Sequence, residues 1–313
     1  MKAHAVNSHA ADVSSLAATT ARLAVLLESG VPQGAAWAYV GESAGPESGG
    51  AHRVVAALQQ GGPVPDAVCA AAVDGTETER AAWRGLAAAW AVATDAGASL
   101  APTLRQFSET LRDLVQVQRE VTVALAAPTL TARLVLVLPL VGILFGLLLG
   151  FDTIRVLVAT AAGWACLGVA SALLFGASRW NARLVRRAQP KDLAPGLVFD
   201  LVAIAVSGGA SLERALGSVT ETARRYEVPA ALDDLALLAV LDLSRRAGVP
   251  AAALLRGEAR ERRREASATA QAGARSLGIA LMVPLGVCVL PAFMVLSVVP
   301  LLLAVLHQTT MPA

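Results

Sequence analysis

The run Leu134-Val-Leu-Val-Leu-Pro-Leu-Val-Gly-Ile-Leu-Phe-Gly-Leu-Leu-Leu-Gly-Phe151 carries no charged side chain, and Arg133 and Asp152 bracket it. A hydrocarbon core needs roughly 20 apolar residues of helix, so this run is just long enough to cross one. The next uncharged run, Val156 to Ser178, follows after Asp152-Thr153-Ile154-Arg155. Four residues allow only a tight helical hairpin, so 134–178 reads as two antiparallel transmembrane helices. A third uncharged run, Leu277 to Leu306, would be about 45 Å long as a helix at 1.5 Å per residue. That is too long for one upright span and too short for two. Pro284, Pro291 and Pro300 point to a single tilted, kinked helix.

Working outward from these runs, the 313-residue chain alternates a long polar stretch, the hairpin, a shorter polar stretch and the last apolar run. Its 55% hydrophobic content and mean hydropathy of +0.58 exceed those of an ordinary soluble domain. The polar stretches are rich in Ala, Leu, Arg and Glu and poor in aromatics, a composition that favours helix. The expected fold class is therefore an all-α membrane protein. It has two antiparallel helical bundles, of about six and four helices, and three transmembrane helices. The domains are 1–130 (first bundle), 134–178 (hairpin), 179–275 (second, shortened bundle) and 277–306 (C-terminal span). Cys69, Cys166 and Cys288 are scattered, and a free-thiol reading suits them better than a disulfide framework. The polar start after Lys2 lacks the apolar core of a cleavable signal peptide.

Orientation follows from the basic flanks. Arg179, Arg183, Arg186, Arg187 and Lys191 crowd the exit of the second run. Arg112, Arg119 and Arg133 precede the first, and Arg260, Arg262, Arg263, Arg264 and Arg275 precede the third. The opposite side keeps Arg155 alone. Excess Lys/Arg marks the cytoplasmic side, so both bundles are expected in the cytoplasm of a multi-pass protein of the cell (inner) membrane. The N-terminus would share that side, and the C-terminus would lie outside. The arginines at 179, 183, 186, 187, 260, 262, 263 and 264 are the candidate contacts for a partner protein or for anionic lipid, which attracts juxtamembrane basic residues by roughly 1 kcal/mol each.

One punctuation recurs in the polar stretches: Gly30-Val31-Pro32, Gly97-Ala98-Ser99, Gly209-Ala210-Ser211 and Gly248-Val249-Pro250. Glycine takes the left-handed position that ends a helix. Pro suits the first turn of the next helix, and Ser caps it. The first polar stretch then divides into helices at about 14–29, 33–43, 51–60, 64–72, 77–96 and 100–130. Leu16, Leu23, Leu26 and Leu27 share one helical face; Leu235, Leu238, Leu241 and, nearby, Leu232 share another. The matching turns lie 67 residues apart in the first stretch, Gly30 to Gly97, and 39 apart in the second, Gly209 to Gly248. The difference is about one helical hairpin, which predicts four helices in the second. Arg119-Glu120 precedes Pro139-Leu140 by the same interval that separates Arg264-Glu265 from Pro284-Leu285, a sign of internal duplication.

These pieces together resemble a known family. Leu23-Ala-Val-Leu-Leu-Glu-Ser-Gly-Val-Pro32, Ala93-Thr-Asp-Ala-Gly-Ala-Ser-Leu100, the long helix entering the hairpin, and Leu281-Met-Val-Pro-Leu-Gly-Val-Cys-Val-Leu-Pro-Ala-Phe293 are similar to the type II secretion system F domain. The C-terminal run most resembles the Tad (Flp) pilus branch, and the chain looks like two such domains in tandem from about residue 14 to 306. The resemblance implies a non-enzymatic inner-membrane platform without a cofactor. Its implied partners are a hexameric secretion or pilus assembly ATPase, pilin-like subunits, membrane lipid and other platform subunits.

The residues exclude several rival chemistries. No Gly-x-x-x-x-Gly-Lys-Ser/Thr loop occurs, and Lys2 and Lys191 are the only lysines, so nucleotide binding has no cradle. His4, His9, His52 and His307 are dispersed, which leaves no metal-ligand cluster. Asp152 has no second carboxylate in any apolar run to form an aspartyl dyad, and the same lack of charge argues against an ion-coupled path. The alternative reading is a membrane subunit of a transporter energised by a separate ATPase; Thr160, Ser171 and Ser297 are the polar groups it would have to use.

Overall fold

A computed structural model describes residues 2–43, 49–72, 76–148, 161–188, 195–229, 235–280 and 282–299. Among these residues the regular structure is helical throughout, with no strand. The first polar stretch contributes α1 (Lys2–Glu28), α2 (Gln33–Glu42), α3 (Gly49–Gln59), α4 (Val64–Ala70), α5 (Glu77–Asp95) and α6 (Leu100–Leu148). Then come α7 (Ala161–Ala188), α8 (Leu197–Ser207), α9 (Leu212–Arg225), α10 (Leu235–Ala247) and α11 (Ala251–Ala280).

The repeated turns have one geometry. Gly30, Gly97, Gly209 and Gly248 all take positive φ, between 65° and 90°. At three of them the backbone closes in the double-bonded helix stop. Gly30 N donates to Leu27 O (3.1 Å) and Val31 N to Leu26 O (3.0 Å); Gly97 and Ala98 repeat the pattern onto Thr94 and Ala93, and Gly209 and Ala210 onto Val206 and Ala205. The residues after the glycines differ from expectation in detail. Pro32 stands at the N-cap of α2 with φ −59° instead of inside the first turn. Ser211 is the N-cap of α9 but its side chain makes no capping hydrogen bond. A cap position needs extended backbone, and both residues supply it, with ψ of 146° at Pro32 and 153° at Ser211.

Residues 1–119 and 190–268 form one compact unit. The reading of two separate bundles is thus revised: the two polar stretches share a single hydrophobic core. Its axis is α5, in which every residue from Gly85 to Ala93 is buried. A helix buried all round needs neighbours on every side. It packs against α1 and α4 from the first stretch and against α8 and α9 from the second. The Ala-rich sequence of α5 permits this close approach, and Trp37 of α2 meets Trp90 of α5 with ring centroids 6.0 Å apart. At its end, a Cβ built on Gly208 would come within 2.2 Å of the Ala96 carbonyl oxygen, so the tail of α8 abuts the cap of α5 only because residue 208 lacks a side chain.

Amphipathic spacing explains the outer helices. In α9, Ala215, Val219, Thr222 and Ala223 are buried at i, i+4, i+7 and i+8, the apolar stripe of a surface helix. In α10 the expected face is corrected. Leu237 and Leu241 are buried, while Leu235 is 81% and Leu238 50% exposed; Leu232 lies outside the described residues. With leucines at 235, 237, 238, 241 and 243, the apolar pattern covers much of the circumference, and periodicity does not choose the inner side.

The second unit comprises residues 120–189 and 269–313. Its described helices are the later part of α6, α7, the end of α11 and the segment 282–298. Ala170 and Ala177 of α7, with Val289 and Ala292, are buried in it. The unit also presents exposed large apolar side chains, among them Val141, Leu144, Leu148, Trp164, Phe175, Met282, Val287 and Leu290. The segment alternates α turns (Met282–Pro284, Leu290–Phe293) with π turns (Leu285–Val289, Met294–Val298). A proline ring crowds the carbonyl four residues before it. For Pro291 that carbonyl belongs to Val287, the centre of the first π turn. A widened turn absorbs the crowding that would otherwise break the helix.

Three spans were expected. Among the described residues one helix, Ala251–Leu296, is long and apolar enough to cross a membrane, with a mean hydropathy of 2.5 in its apolar window. The tip of the expected hairpin and the end of the expected third span lie outside the described residues.

Candidate functional site

The arginines at 260–264 all stand on α11, where successive residues turn by about 100°, so the run cannot form one patch. Arg260 and Arg264, one turn apart, are exposed; Arg260 Nε donates to the Arg256 carbonyl at 3.2 Å and Arg264 pairs with Glu261 at 3.6 Å. Arg262 lies over the Phe199 ring, 5.2 Å from its centroid, and bonds Glu258 at 3.2 Å. Arg263 turns inward. Its Nη1 donates to Asp200 Oδ2 at 2.7 Å, and the two side chains are only 12% and 7% exposed.

Asp200 is the centre of a buried polar joint. The other carboxylate oxygen, Oδ1, accepts from Gln106 Nε2 at 2.7 Å. One side chain of α8 thereby binds α6 and α11 together. Nearby, Arg256 Nη2 donates to Ser207 Oγ at 3.0 Å. Burial pushes the Asp200 carboxyl up from the ordinary carboxylate range. The Arg263 charge, the hydrogen bonds from Arg263 and Gln106, and the Arg256 charge oppose that rise. In the second unit, Gln271 of α11 donates to Glu120 of α6, so the same two helices are tied again further along.

A second joint gathers at α4. Asp66 accepts from Arg225 Nη2 at 2.7 Å and from the Tyr226 hydroxyl at 2.8 Å. Glu227, with φ 52°, ends α9 in the left-handed position, and its carboxylate pairs with Arg84 of α5 at 2.6 Å. Burial and the hydrogen bond to Asp66 push the Tyr226 hydroxyl well above its usual value. Burial also raises the Cys69 thiol, against the opposing charge of Arg84, so it is a poor thiolate at neutral pH.

Of the other candidate basic residues, Arg179 is exposed and stacks 5.7 Å over the Phe175 ring, and Arg183 is exposed one turn on. Arg186 and Arg187 belong to the last turn of α7, with side chains outside the described residues; Lys191 lies outside them altogether. The structure therefore separates six of the eight candidates. Arg179, Arg183, Arg260 and Arg264 are outward charges, whereas Arg262 and Arg263 are engaged with their own unit.

Sequence reading missed Asp200, Gln106, Arg256 and the Asp66–Arg225–Tyr226 joint. The signal for the first was present: Asp200 is the only charged residue in the apolar run Leu197–Ser207, and a lone acid in such a run needs a partner. Asp66 carried the same signal, as the only charged residue of Val64–Ala70, whereas Gln106 and Arg225 had no such mark because they lie among other polar residues. No group of residues able to hold a metal ion occurs among the described residues.

Residues 19–148 match the family model described as Type II secretion system (T2SS), protein F. The match covers α1 from its middle through the end of α6, less than half of the chain. No curated protein and no solved structure gives a significant match to the chain.

Proposed function

We propose that this chain is a non-enzymatic inner-membrane platform protein of a Tad/Flp-type pilus or of a type II secretion-like system. It would couple a cytoplasmic assembly ATPase to the insertion of pilin-like subunits. The observation that carries this reading is the match of residues 19–148 to T2SS protein F. The helix that closes the match, α6, runs for 49 residues from the core of the first unit into the apolar run at 134. A continuous helix transmits tilt and rotation; a Gly/Ser linker does not.

Membrane embedding is supported by two features besides the apolar helix Ala251–Leu296. The exposed large apolar side chains of the second unit suit lipid rather than water. Trp180, exposed on α7, stands two residues beyond the uncharged run that ends at Ser178, where interfacial aromatic residues gather. On this reading the first unit lies in the cytoplasm, the spans number three, the C-terminus is outside, and the second polar stretch is a shortened copy of the first.

The ATPase contact is assigned to the outward arginines, Arg179, Arg183, Arg260 and Arg264. Full-length tagged protein is expressed in its own host membranes and purified after cross-linking. The hexameric ATPase should co-purify, and Arg260→Glu with Arg264→Glu should deplete it while leaving the membrane level of the protein unchanged. Absence of the ATPase from cross-linked wild-type material would remove the coupling role. Undiminished recovery with the double variant would remove the assigned face.

A further inference from the structure

We propose that Asp200 is a positioning residue that clamps α6 to α11, so that these two helices move as one lever. The inference deepens the coupling role proposed above and rests on it for its purpose, though not for its geometry.

Three observations converge. First, among the described residues, α6 and α11 pass without interruption from residues of the first unit into residues of the second, α6 across 119–120 and α11 across 268–269. A force relay has to use them. Secondly, one carboxylate serves both: Gln106 of α6 on Oδ1 and Arg263 of α11 on Oδ2, each at 2.7 Å. Asp200 itself is held on α8, within the core. Thirdly, the tie is repeated by Glu120 and Gln271 in the second unit.

The chemistry chosen is informative. Apolar packing between helices allows small sliding, because dispersion contacts are non-directional. Hydrogen bonds weaken steeply when bent, and a buried charge cannot exchange its partner for water without cost. A carboxylate held between an amide and a guanidinium therefore fixes rotation as well as distance. Replacing such a pair by apolar residues of similar volume is often neutral for stability, so a stability role alone does not explain an ion pair here. Fixing the register of two helices does.

The test measures that register directly. Spin labels are placed at the exposed positions Asp113 of α6 and Ala268 of α11 in full-length protein reconstituted in vesicles, with Cys69, Cys166 and Cys288 replaced by alanine. Pulsed dipolar spectroscopy then reads the distance distribution. The parent should give one narrow distance. Gln106→Leu removes the bond of α6 to Asp200 while leaving Asp200 and Arg263 paired, and Asp200→Leu with Arg263→Met removes the charges together. Both should broaden the distribution or add a second distance, while the melting temperature of the double variant stays near the parent's. A folded Gln106→Leu protein with an unchanged narrow distance overturns the clamp, even if the double variant fails to fold. Because no ATPase is present, that result would leave the platform reading untouched; a broadened distance with no ATPase co-purification would leave the clamp standing without its proposed use.

Discussion

Asp200 shows what one residue can cost and provide. Its carboxylate is 7% exposed beside an Arg263 that is 12% exposed, and Arg263 Nε is already buried with no hydrogen-bond partner among the described residues. Asp200→Ala strips the second charge of its counterion, and breaking a buried pair in this way costs about 3–5 kcal/mol. Thermal or denaturant unfolding in detergent should show a loss of that size. Asp200→Leu combined with Arg263→Met should recover most of it, because no uncompensated charge is left. A single-variant loss as small as that of an ordinary surface change, about 0.5 kcal/mol, would mean that the pair is solvated. Four arginines in five positions look like a surface patch in one dimension, and helix geometry sends one of them into the core.

At the scale of elements, the glycine turns were legible because their cause is local. A helix end that needs positive φ selects glycine whatever surrounds it, and Gly30, Gly97, Gly209 and Gly248 all adopt it. Glu227 takes the same conformation without the glycine, and no sequence rule marked it. Its pairing with Arg84 holds it in place from another helix. The inner face of α10 was likewise decided from outside the helix. Leu237 is fully buried and Leu235 largely exposed, two residues apart in a leucine-rich segment. Leu237→Ala should destabilise by about 2–5 kcal/mol, as for a large-to-small change in a core. Leu235→Ser should stay within about 0.5 kcal/mol, as at the surface. Equal losses in the two unfolding curves would place both leucines at the same depth and refute the orientation given for α10.

For the whole molecule, the sharing of one core by 1–119 and 190–268 changes what can be cut. Helix α5 is buried from Gly85 to Ala93, partly by α8 and α9. Residues 1–130 expressed alone would expose that side. The fragment is expected to bind a hydrophobic dye and to aggregate, and co-expression of residues 190–268 as a second chain should restore a monodisperse complex. A monomeric fragment with a cooperative melt and no dye binding would show that α5 does not need the second stretch. The helical class, the places where helices stop and the uncharged runs were legible in the chain before any fold was known. Each follows from backbone conformation or from composition over a few turns, which a chain specifies locally. That the two polar stretches join, that Arg263 meets Asp200, and which leucines of α10 face inward came from packing between distant helices. Those outcomes depend on which helices lie side by side, and contacts between residues 94 positions apart, such as Gln106 and Asp200, leave no periodic trace in either segment.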